Sequence, residues 1–135
     1  MNKAKELLKD GITLSLCDGN ITYTSNKRGV SALLGLIDEN VNVKGYDSAD
    51  RVVGKGAAFL YIILGVARVH ACVISRCALN TLGRSGIEVT YDILVDRIEN
   101  RDKTGFCPIE ETVLSIDTPS LALIAIKNRL KELKS

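Results

Sequence analysis

The chain has 135 residues and a mass of 14.6 kDa, enough for one domain with its own core and too short for two ordinary ones. Hydrophobic residues make up 46% and charged residues 25%, the balance of a globular chain rather than a disordered one. Lys and Arg number 18 against 16 Asp and Glu, and aromatic residues are 4% with no Trp, which argues against charge-driven nucleic-acid binding and base stacking.

Residues 2–10 read as a short amphipathic helix stopped by Gly11. This segment is charged throughout and lacks the apolar stretch and cleavage site of a signal peptide, so a cytoplasmic location is expected. Ile12 to Cys17 and Ile21 to Ser25 alternate apolar and polar residues around Asp18-Gly19-Asn20, which predicts a β-hairpin. Arg28 to Glu39 carries Val30, Leu33, Leu34, Leu36 and Ile37 at helical spacing, and Asn40 to Asp47 reads as a loop.

Ser48 or Asp50 is placed to cap a helix that runs through Val52, Val53, Ala57, Leu60 and Leu64 to Gly65. The apolar run Gly56 to Ala67 falls short of the roughly 20 residues a bilayer requires, so a buried helix and no membrane partner are expected. Arg68 to Ile74 is nearly all apolar, the pattern of a central strand covered on both faces. A helix over Cys77 to Arg84 and a strand over Ile87 to Tyr91 complete a βαβ unit with parallel strands. Asp92 to Glu99 fits either a fifth edge strand or a short helix, and Asn100 to Gly105 a polar loop. Cys107 stands at an N-cap position with Pro108 at N1, and Glu110 and Glu111 suit the first-turn dipole of that helix. Asp117 or Thr118 caps the last helix, whose Lys127, Arg129, Lys131 and Lys134 read as a solvated face. The expected fold is one α/β domain over 1–135: a mixed sheet, built from a hairpin and parallel strands, between helices.

The cysteines, 17, 72, 77 and 107, show no CxxC spacing and read as reduced thiols. His70 and Cys72 share one face of a strand, but this is the chain's only His and a zinc site needs at least three converging ligands. No metal and no cofactor are expected.

Residues 50–58 are the most unusual stretch, with Lys55 between Gly54 and Gly56 in an otherwise apolar helix. Each glycine costs about 1 kcal/mol against Ala there, and a bare backbone lets a ligand or another chain come close. Lys55, with Asp50 and Arg51 nearby, is a candidate for binding an anion at the early turns of a helix, or for acid–base or Schiff-base chemistry. The alternative is that the glycines serve helix packing while Lys55 reaches solvent. A P-loop is excluded, since Ala49 and Gly56 stand where it needs Gly and Ser or Thr. Cys107, a thiol at a helix start, is the second catalytic candidate. Arg28-Gly29 and Asp47 are lesser ones.

Several stretches together resemble a bacterial and archaeal domain-of-unknown-function family with a cytidine-deaminase-like fold. They are Tyr23-Thr24-Ser25 with Arg28-Gly29-Val30, Ala49 to Lys55, Ala57 to Tyr61, Gly86 to Val89 and Gly105 to Glu110. The resemblance implies a three-layer α/β/α sandwich. Zinc deaminases place His or Cys with Glu on one helix and PCxxC at the start of the next. This chain has Gly54-Lys55-Gly56 and Arg76-Cys77-Ala78-Leu79 there, so zinc-dependent deamination is not expected. A surviving pocket over those helix ends would suit a nucleotide or nucleotide-sugar, ADP-ribose-like, held by Asp50, Arg51, Gly54, Lys55 and Gly56. The alternatives are an enzyme using Lys55 and Cys107, or an oligomeric scaffold; a homo-oligomer is expected.

Overall fold

The computed structural model describes residues 1–27, 30–99 and 107–134, apart from the side chain of Lys134. Arg28-Gly29, the polar segment 100–105 and Phe106 lie outside the described residues.

The hairpin forms as its alternation predicts. Strands β1 (Leu14–Cys17) and β2 (Thr22–Ser25) pair antiparallel after a short helix α1 (Asn2–Glu6), and α2 (Ser31–Asp38) follows. The next element departs from the sequence reading. Asp47–Val53 is a strand, β3, antiparallel to β1, and not a loop running into a helix. Its polar residues look like caps in sequence, yet they are paired in the fold. Asp47 accepts from Arg68 Nε and Nη2 at 2.7 Å, and the Ser48 and Asp50 side chains bond Tyr61.

Helix α3 (Lys55–Leu64) therefore starts at Lys55, with Gly54 as its N-cap and Gly65, at φ +75°, closing it in the left-handed region. Strand β4 (Arg68–Ser75), helix α4 (Arg76–Arg84) and strand β5 (Glu88–Val95) make the expected parallel βαβ unit. Residues 92–95 continue β5, and the fifth strand of the sheet is β3. The order is β2-β1-β3-β4-β5, with β3, β4 and β5 parallel. Helices α5 (Pro108–Val113) and α6 (Pro119–Lys134) end the chain. On α6, Lys127 pairs with Asp38 at 2.6 Å and Arg129 with Glu132 at 3.1 Å.

Alternation along β3 separates the two faces of this mixed α/β sheet. Ala49 packs with Ala4 and Cys17 under α1, whereas Ser48 and Asp50 point at Tyr61 on α3. Among the described residues, one face thus carries α1 alone, and the other carries α3 with α2, α4, α5 and α6 around it. Burial of Leu16, Leu33, Leu60, Tyr61, Val69, Ile74, Leu82 and Ile126 forms the core on the α3 side. Among the described residues no helix is long and apolar enough to cross a membrane.

Candidate functional site

The Gly54-Lys55-Gly56 stretch is a helix start, and a carboxylate from the chain itself occupies it. Lys55 N–H donates to Glu110 Oε1 at 2.7 Å and Gly56 N–H to Glu110 Oε2 at 3.0 Å, both buried. These amides have no intrahelical acceptor, and an anion also complements the positive end of the helix dipole. The two glycines make room for this contact. A methyl at position 54 would overlap the Glu110 carboxylate, and one at 56 would lie 2.8 Å from Ile109 Cγ2. The Lys55 side chain is also engaged: only 7% of the residue is exposed, Nζ donates to Leu114 O at 2.9 Å, and it lies 5.7 Å from the centre of the Phe59 ring.

The other predicted site residues are dispersed. Asp50 is buried beneath α3, where its Oδ2 accepts from the Tyr61 hydroxyl at 2.7 Å, and that hydroxyl accepts from Ser48 at 2.9 Å. Burial pushes the Asp50 carboxyl up to about 7, against the opposing pull of the Tyr61 hydroxyl. Arg51 is exposed and its Nε donates to Ile12 O. Cys107 is half-buried at the N-cap of α5, as its position before Pro108 predicts. Helix α5 docks on α3, and the residue that reaches the start of α3 is Glu110; Glu111 is exposed. Helix α4, by contrast, is capped locally, with Ser75 Oγ accepting from Ala78 N–H at 3.2 Å. With Lys and Gly at one helix start and the single thiol Cys77 at the other, these residues do not make up a zinc ligand set.

Two further features were not assembled from the sequence. A cleft of about 240 Å³ opens between the hairpin and α2, lined by Leu14, Leu16, Leu36, Tyr23, Lys27 and Glu39. On the α1 face, the ligand atoms of His70, Cys72 and Asp92 lie within 4.8 Å of one another, the one such group among the described residues. The signal for that group was present in the matched even positions, 70 and 72 on β4 and 90 and 92 on β5. Reading it required the offset between the two strands.

A family model described as a domain of unknown function (DUF1893) matches residues 2–130. The crystal structure of a DUF1893 family protein from Thermotoga maritima is similar at TM-score 0.86 and 26% identity, covering 95% of this chain and 87% of that one. A diaminohydroxyphosphoribosylaminopyrimidine deaminase/5-amino-6-(5-phosphoribosylamino)uracil reductase from the same organism matches loosely. Its TM-score is 0.46 and its identity 17%, over 85% of this chain and 40% of that one. No curated protein matches the chain. The family match spans nearly the whole sequence, and the chain belongs to the DUF1893 family.

Proposed function

We propose that this chain binds a small nucleoside- or nucleotide-like molecule in the cleft between the hairpin and α2. The observation that carries this reading is the contrast between the filled start of α3 and the open cleft beside the hairpin. At the start of α3 the free amides are taken by Glu110, so an anionic ligand there would have to displace a buried carboxylate. The hairpin cleft offers an apolar floor of Leu14, Leu16 and Leu36, the Tyr23 ring beside that of Tyr46 at 6.2 Å, the cation Lys27 and the carboxylate Glu39. Apolar walls with a few polar groups are the usual make-up of small-molecule sites. An aromatic ring suits a base, a lysine a phosphate, and a carboxylate a sugar hydroxyl. At about 240 Å³ the cleft suits one nucleoside unit rather than a whole nucleotide-sugar.

The test is a calorimetric and native-mass titration with a panel of nucleosides and mononucleotides. Lys27→Ala is expected to weaken a mononucleotide about tenfold and leave the parent nucleoside nearly unchanged. Loss of binding with Lys55→Ala and not with Lys27→Ala would move the site to α3. No binding at millimolar ligand would end the nucleotide reading.

A second reading, assembly of like chains, rests on β5. This eight-residue edge strand leaves Tyr91 and Ile93 42% and 56% exposed, and an unpaired apolar edge is a template for pairing. Light scattering should show an oligomer that Ile93→Lys dissociates; a monomer at high concentration would exclude it.

A further inference from the structure

Three side chains that neither the cleft nor the α3 cap uses meet on the face of the sheet that carries α1. His70 stands in register with Ala49, which α1 covers, and Cys72 lies two residues on along β4. Asp92 sits between Tyr91 and Ile93, the partners of Ala71 and Val73, and so is level with Cys72. We propose that His70, Cys72 and Asp92 form a binding site for a divalent cation of the zinc class, with a fourth position open to water.

The donor set points to that class. Imidazole nitrogen, thiolate sulfur and carboxylate oxygen together suit zinc, whereas magnesium and calcium take oxygen ligands. The spacing fits as well. His70 Nε2 and Asp92 Oδ2 are 3.5 Å apart. Two atoms each about 2.0–2.2 Å from a tetrahedral zinc stand roughly 3.4 Å apart, while an unbridged charge-assisted hydrogen bond closes to about 2.7–2.9 Å.

The imidazole is also oriented for the task. Its Nδ1 lies 2.8 Å from Thr90 Oγ1. With Nδ1–H donating to that hydroxyl, the lone pair of Nε2 faces Asp92, which is the outer-shell arrangement that metal-binding histidines use. His70 itself is buried, and the 60% exposed Asp92 side chain leaves an entry path from solvent. Burial, then the neighbouring Asp92 carboxylate and more weakly Asp50, favour the neutral thiol at Cys72, with Arg51 and Lys5 pulling the other way. Binding therefore breaks the S–H bond, forms a metal–sulfur bond and releases the proton to solvent, with no change of oxidation state. The site lies on strands of the α1 face, away from the helix starts of α3 and α4.

The experiment uses the full chain with Cys77→Ser and Cys107→Ser, which removes the two other thiols that are not fully buried. Titration with Co²⁺ alone should give a near-ultraviolet thiolate-to-cobalt band and intense visible bands of tetrahedral cobalt, both erased by one equivalent of Zn²⁺. Cys72→Ser should abolish the thiolate band. Asp92→Asn, an exposed change, should weaken Zn²⁺ at least tenfold, and Thr90→Val about 10- to 100-fold, with the circular dichroism of the metal-free chains unchanged. Absence of a thiolate band, its persistence in Cys72→Ser, or undiminished Zn²⁺ affinity in Asp92→Asn would overturn the proposal.

Discussion

Helices α3 and α4 begin alike in topology and differently in chemistry. Each follows a parallel strand of one sheet, β3 and β4, which are neighbours. The start of α4 is closed by the residue next to it, Ser75, whose hydroxyl takes one amide. The start of α3 has Gly54 at the same place, with no side chain to offer, and Glu110 supplies both acceptors from 55 residues away. A helix start rich in glycine is thus not evidence of a ligand cradle. Here the glycines are the socket of an internal carboxylate, and that carboxylate fastens α5 to the centre of the fold.

The largest expected effect strikes the socket. Gly54→Ala should destabilise the chain by about 4 kcal/mol in denaturant unfolding, because the methyl expels Glu110 and both amides lose their partner. The same change in a Glu110→Ala background should cost much less, since the clash is gone; additivity of the two would break the comparison. Glu110→Ala alone should cost about 3 kcal/mol by leaving two buried donors unpaired.

The strand leading into α3 differs too. Asp50 pairs in register with Ala71, so β3 buries a carboxyl where β4 has a methyl. Its value is about 7 in the folded chain against 3.8 unperturbed. Between those values the folded chain holds a proton that the unfolded chain has released. This group's contribution is full below about pH 4 and falls as pH rises to about 7, by up to tenfold in the folding equilibrium per pH unit. Asp50→Asn should flatten that slope, and an unchanged slope would assign it to other groups. The smallest effect belongs to α4, where Ser75→Ala should cost about 1 kcal/mol.

What could be read from the sequence followed from local pattern. Alternation around Asp18-Gly19-Asn20 predicts the hairpin, and an apolar run followed by a helix and a second strand predicts the parallel unit, as found. Cys107 before Pro108 marks the start of α5 correctly. Strand β3 escaped because Ser48 and Asp50 resemble caps and Asp47 the end of a loop, and what satisfies them, Tyr61 and Arg68, lies on other elements. Glu110 was legible only as a partner of its own helix dipole; its acceptors' true destination depends on how α5 docks. Likewise, His70 and Cys72 share a face by period alone, whereas Asp92 joins them only through the register of β5.

The bond between Glu110 and the start of α3 also has a consequence in time. A ribosome makes Lys55 and Gly56 long before it makes Glu110, and the sequence separation of 55 residues must be closed before the amides are satisfied. Closure of so long a loop is slow and entropically costly, so α3 should stay frayed at its first turn on the growing chain and lock only when α5 has emerged. Nascent chains halted before Pro108 should accordingly be cut by protease near Gly54, and chains released after α6 should not.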